Sequence, residues 1–123
     1  MLLKLRPDSD VPIYLQIREQ IVRGVAEGHL EEGKHLPSVR QLAADLGVNF
    51  HTVNKAYLLL QSEGFVKISG RRGASITAPP EYDAAFVSTL STEIETLLTE
   101  CKSRGVPKKV LEDLFENLME NYL

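Results

Sequence analysis

Between Asn49 and Leu58 the chain lines up side chains suited to a polar, negatively charged surface. With Val53 taken as the centre of a buried stripe, a turn of ~100° per residue puts His51, Asn54, Lys55 and Leu58 on the opposite side. Asn49 and Thr52 fall at the exposed N-terminal end of the same segment. An asparagine amide can pair bidentately with adenine, imidazole, hydroxyl and ammonium groups can donate to bases or phosphates, and a threonine methyl suits the methyl of thymine. No Asp or Glu follows Asn49 until Glu63, so a phosphate backbone would meet no repelling carboxylate here. A helix laid in a major groove reads base edges with such groups at its N-terminal end. Periodicity alone is equally compatible with a plain helical hairpin.

Start and stop signals define the elements that would position these groups. Pro12 suits the first position of a helix. Ile13, Ile17, Ile21 and Val25 recur every four residues with Tyr14 beside them, which predicts an amphipathic helix ending at Gly28. A loop containing Gly33 and Pro37 leads to Ser38, and Gln41 completes the S-x-x-Q pattern of a capping box. Ser38 is therefore a cap first, with any phosphate contact secondary. The short helix from Val39 buries Val39, Leu42, Ala43 and Leu46 and stops at Gly47. Arg40, in its first turn, is placed to reach the same groove or a flanking phosphate, or else to form a surface ion pair. Asn49 caps the next helix, where Val53, Ala56, Tyr57 and Leu60 supply one buried face before Gly64. Residues 65–69 and 74–77 alternate around Gly70-Arg71-Arg72-Gly73, predicting a β-hairpin with a basic tip. Arg71 and Arg72 form either a solvated turn or a grip on DNA backbone or minor groove. A helix, then helix, tight turn, helix and hairpin, is the order of a winged helix-turn-helix.

The 123 residues carry 14 Lys plus Arg against 17 Asp plus Glu, a formal charge of −3 that gives no global pull toward nucleic acid. The average conceals a division at Pro79-Pro80, with +2 on residues 1–78 and −5 on residues 79–123. No apolar run reaches membrane-spanning length, and no signal-peptide core is visible at the N-terminus. The single Cys101 cannot form an internal disulfide, which fits a reducing cytoplasm. Beyond the prolines, Phe86, Leu90, Ile94, Leu97, Leu98 and Cys101 outline a long amphipathic helix closed by Gly105, with Cys101 expected as a buried small hydrophobe. Pro107 starts another, with Val110, Leu111, Leu114, Phe115, Leu118, Met119 and Tyr122 on a broad apolar face. These faces exceed what one helical pair can hide, so a second copy is expected against Phe86, Leu90, Ile94, Leu97, Leu111, Leu114, Phe115 and Leu118. His29, His35 and His51 lack metal-ligand spacing, and no phosphate-binding or nucleophile motif occurs. No metal, cofactor or catalytic site is expected.

Several stretches together resemble one family. They are Pro12-Ile13-Tyr14-Leu15-Gln16-Ile17, Gly28-His29-Leu30, Leu36-Pro37-Ser38-Val39-Arg40-Gln41-Leu42-Ala43 and Leu46-Gly47-Val48-Asn49. They continue with Thr52-Val53-Asn54-Lys55-Ala56-Tyr57, Leu60, Glu63-Gly64 and Arg71-Arg72-Gly73. Over residues 12–77 the chain is similar to the DNA-binding domain of GntR-family bacterial transcription regulators. The resemblance implies that Arg40, residues 49–55 and the wing with Arg71, Arg72 and Gly73 contact operator DNA. The C-terminal part is similar to the YtrA subfamily, whose two-helix appendage mediates dimerisation. Four positions depart from the pattern. Phe50 and His51 stand where the subfamily often has proline and asparagine or aspartate, Asn54 where other branches have arginine, and Ser75 where the wing usually has glycine.

The expected architecture is α+β, with a winged helix-turn-helix (three helices plus a β-hairpin wing) over 1–78 and a two-helix dimerisation element over 79–123. The expected function is that of a dimeric, sequence-specific transcription regulator, a repressor on a palindromic operator and not an enzyme. Two other classes stand beside it: a protein-interaction adaptor, and a regulator switched by a small ligand at the C-terminal helices. Acidic residues on the outer face of 49–58 would favour the adaptor, and there are none.

Overall fold

The computed structural model describes residues 3–70 and 73–123, and the chain divides into two units after Pro80. The first contains α1 (Ile13–Ala26), β1 (His35–Leu36), α2 (Val39–Leu46), α3 (Phe50–Ser62), β2 (Val66–Ile68) and β3 (Ala74–Ile76). The second contains α4 (Ala84–Ser103) and α5 (Lys108–Tyr122).

Helix α1 starts one residue later than its sequence signal, with Pro12 as the cap. Ile17 and Ile21 are wholly buried, and so is nearly all of Gln16. That buried amide is satisfied by the lead segment: Gln16 Oε1 accepts from the Arg6 N–H at 2.7 Å, and Nε2 donates to the Arg6 and Val11 carbonyls at 3.0 and 2.9 Å. Gln20, one turn on, does the same for the backbone of Lys4 at 2.9 and 2.6 Å. The polar lead is thereby pinned along α1 by two side-chain amides.

Helix α2 is capped at Ser38, whose Oγ accepts from the Gln41 N–H at 3.1 Å. The reciprocal half of the expected capping box is not made. Gln41 Nε2 instead donates to Asp45 Oδ1 at 2.7 Å, one turn ahead on the same helix face. Gly47 ends the helix in the left-handed region, at φ 66°. Helix α3 is capped by Asn49 and buries Val53, Ala56, Tyr57 and Leu60 as the spacing requires. Its Tyr57 hydroxyl donates to the Pro37 carbonyl at 2.7 Å and so ties α3 to the residue preceding the α2 cap. Arg18 and Glu63 join α1 to the end of α3 through two parallel bonds, Nε to Oε1 at 2.9 Å and Nη2 to Oε2 at 2.8 Å.

The hairpin forms from β2 and β3, but the sheet holds a third strand in the order β1-β3-β2, both pairings antiparallel. His35-Leu36, read from sequence as loop, pairs with Ser75 and Ala74 and buries Leu36. Two residues carry too short an alternation to register as a strand. Their pairing comes from the free edge of β3.

The second unit follows its caps. The Asp83 side chain accepts from the Phe86 N–H at 2.8 Å, Gly105 stands just beyond α4 at φ 73°, and Pro107 precedes α5. Neither helix has a buried residue. Cys101 is half-buried, not buried as its place on the apolar stripe suggested, since α4 itself buries no residue. Among the described residues no helix is long and apolar enough to cross a membrane.

Burial pushes the Tyr57 phenol well above the usual tyrosine range, because the phenolate would lose its hydration. Tyr57→Phe leaves the Pro37 carbonyl without its donor and should cost about 1 kcal/mol in chemical denaturation. Above pH ~10 the unfolded phenol ionises while the folded one stays protonated, so wild-type stability falls with rising pH. The phenylalanine variant lacks that share, and its stability should fall less steeply over the same range.

Candidate nucleic-acid interface

The first turn of α2, the flank of α3 carrying Phe50, Asn54 and Tyr57, and the hairpin residues Ile68, Gly70 and Gly73 border one groove of about 490 Å³, walled also by Ser38, Val39 and Arg40. It brings together four of the residues singled out in the sequence: Ser38, Arg40, Asn54 and Gly73. Asn49 and His51 are exposed at the N-terminal end of α3, and Thr52 is half-buried beside them. Neither α2 nor α3 has an acidic residue in its first turn, so two positive helix ends border the groove with no carboxylate in those turns.

The two asparagines differ in what they have left to offer. Asn49 Oδ1 accepts from the His51 N–H at 2.7 Å as the α3 cap. Asn54 makes no side-chain hydrogen bond among the described residues and is half-buried, so both ends of its amide remain for a bidentate contact.

Arg40 does not take the surface ion pair among the alternatives left by its sequence position. Among the described residues it forms no ion pair, and its Cζ lies 5.8 Å from the centroid of the Phe50 ring. That separation is within reach of a cation–π attraction. The Phe50 ring in turn meets His51 edge-on, with centroids 5.6 Å apart and planes at 83°. In the sequence Phe50 stands out only as a departure from relatives. The available signal was an exposed aromatic at the first position of a helix whose core stripe lies elsewhere.

Lys55 stands apart from the groove. It is exposed, and its Nζ sits 4.1 Å from the centroid of the Tyr14 ring on α1. The ammonium is thus steered by α1 to one flank of α3. Arg71 and Arg72 lie outside the described residues. Gly73 closes the hairpin by accepting from the Ser69 N–H at 2.9 Å. It has φ 82°, and a Cβ there would lie 3.2 Å from the Leu36 carbonyl oxygen. Among the described residues no group of three or more His, Cys, Asp or Glu is placed to hold a metal.

Known proteins share this architecture. The pattern of the bacterial regulatory proteins, gntR family, matches residues 13–76. The HTH-type transcriptional repressor YtrA of Bacillus subtilis is 31% identical over 121 residues, covering 97% of this chain and 91% of its own. An HTH-type transcriptional regulator of Mycobacterium tuberculosis is 42% identical over 77 residues, which span 63% of this chain and 64% of that protein. Among solved structures, YtrA from Sulfolobus acidocaldarius superimposes with a TM-score of 0.67 at 37% identity, covering 80% of this chain and 99% of that one. The DNA-binding domain of AraR, solved in complex with operator ORX1, gives a TM-score of 0.53 at 27% identity over 61% of this chain and 93% of that one. The chain belongs to the GntR family of bacterial regulatory proteins. It is a YtrA-like, DNA-binding transcription regulator.

The close approach at Gly73 can be separated from simple backbone strain. Gly33 also has positive φ, at 87°, but a Cβ there meets nothing within 4 Å. Gly33→Ala should cost about 1 kcal/mol from the left-handed backbone alone. Gly73→Ala should cost measurably more in the same denaturation assay, because the added methyl also meets the Leu36 carbonyl.

Proposed function

We propose that this chain is a homodimeric repressor that occupies a palindromic operator and occludes a promoter. In this reading residues 1–78 are the DNA reader and residues 79–123 the dimer clasp. Arg40, Asn49, His51, Thr52 and Asn54 face base edges, while Ser38 and Lys55 face phosphates. Arg71, Arg72 and Gly73 form a wing on the backbone or minor groove. The protein works in the cytoplasm, beside its DNA.

The observation that carries the reading is the exposed apolar surface of the second unit. Phe86 is 58% exposed, Leu97 61%, Leu114 49% and Leu118 42%, and neither α4 nor α5 buries any residue. Leu90 and Phe115 add to the same surface, with Ile94 and Leu111 half-buried beside them. Apolar rows this extensive call for a cover, and a second copy supplies matching rows through a two-fold axis. Two reader units then favour half-sites about one helical turn, ~34–36 Å, apart.

The combined variant Leu114→Asp/Leu118→Asp should sediment at half the wild-type mass and lose operator affinity by ~10-fold or more. A double variant that stays dimeric and binds as tightly as wild type would reject the clasp. Replacing Lys55, or Arg71 with Arg72, by alanine should weaken binding to all sequences alike. The slope of log affinity against log salt should drop by about one per phosphate contact removed. An unaltered slope would remove those residues from the backbone contacts.

A further inference from the structure

Helix α3 begins with an aromatic ring that the core does not use. Phe50 is 40% exposed and lies outside the core cluster built on Val53, Ala56, Tyr57 and Leu60. The guanidinium of Arg40 lies over the ring at 5.8 Å, and the imidazole of His51 meets it edge-on at 5.6 Å. The Arg40–Phe50 pair forms a wall common to two depressions. One is the groove toward Asn54 and Gly73, and the other, of about 690 Å³, is lined by Ala43, Ala44, Gly47 and Val48 on the far side. These small residues leave open space beside the ring and the guanidinium.

An apolar ring beside a guanidinium fork matches two features of a major groove. Thymine's C5-methyl is the groove's apolar feature, and guanine's O6 and N7 form the acceptor pair that takes an arginine fork. A guanidinium drawn toward a ring by cation–π attraction also has fewer orientations to lose on binding. We propose that Phe50 is a specificity-determining residue whose ring packs on the C5-methyl of a thymine and holds Arg40 aligned for the guanine of a neighbouring base pair. The assignment rests on the reading of α2 and α3 as the DNA-contacting face.

Duplexes enriched by the full chain from a random DNA pool serve as the probe. Each thymine of a half-site is replaced in turn by uracil, which keeps every hydrogen-bonding group and removes only the methyl. Each guanine is replaced by 7-deazaguanine, which removes the N7 acceptor. Wild-type protein should lose ~3–10-fold in affinity on uracil at one position per half-site, the size expected for one buried methyl. Phe50→Ala should bind weakly and show no further loss at that position. Phe50→Leu should keep the uracil sensitivity, because it remains apolar. It should also lose part of the 7-deazaguanine sensitivity at the adjacent pair, because no ring holds Arg40. Arg40→Ala should lose that guanine sensitivity entirely. Equal uracil penalties in wild type and Phe50→Ala at every thymine would overturn the assignment. Enriched sequences that respond to neither analogue in wild type would overturn it while leaving DNA binding intact. A pool yielding no enriched sequence would overturn the DNA-facing reading together with it.

Discussion

The outward face of α3 is determined by what its inward face must hide. Val53, Ala56, Tyr57 and Leu60 leave essentially no surface in water, and they meet Ile17 and Ile21 of α1 in one cluster. Helical geometry then leaves no freedom, because a residue about half a turn from a buried neighbour must face out. His51, Lys55 and Leu58 are exposed as a direct consequence. One polar contact completes the constraint. The Tyr57 hydroxyl, delivered by the same buried stripe, holds the Pro37 carbonyl immediately ahead of the α2 cap. The position of Ser38 and Arg40 is therefore coupled to the burial of α3, and the groove between them inherits its shape from the core.

Electrostatics follow the same division. The net charge of −3 is the sum of a basic reader and an acidic C-terminal segment. Within the first unit the α3 sequence is free of acids, and the groove receives the positive ends of two helices. Two cations of α2 and α3 face rings: Arg40 lies within cation–π reach of Phe50 at the groove, and Lys55 lies over Tyr14 apart from it. Glu63, the first acid after Asn49, is bonded to Arg18 at the opposite end of α3. A surface built this way attracts phosphate locally even though the whole chain is acidic.

Much of this was legible in the sequence, because helix faces and caps are local. Every residue of the α3 core stripe, the Ser38 and Asn49 caps, the Gly47 stop and the hairpin flanks follow from spacing within one or two turns. What escaped depends on partners distant in the chain. The His35-Leu36 strand exists because β3 offers it an edge, and two residues cannot announce that. The lead segment read as merely polar, since its anchoring to Gln16 and Gln20 involves backbone groups. Gln41 stands at the right position for a capping box but bonds Asp45 instead. Arg40 and Lys55 were identified as cations, while the rings that aim them, Phe50 and Tyr14, became visible only in three dimensions. Cys101 was expected inside, and it is half-buried on a helix that buries no residue.

Everything the fold is proposed to do depends on which of its surfaces DNA touches. Amide chemical shifts of the labelled full chain, followed through titration with its selected duplex, test that most directly. The account predicts the largest changes at residues 38–40, 49–55 and 73–75, with the middle of α1 from Gln16 to Ile21 nearly silent. Changes concentrated on the solvent side of α1, with residues 49–55 unmoved, would contradict it.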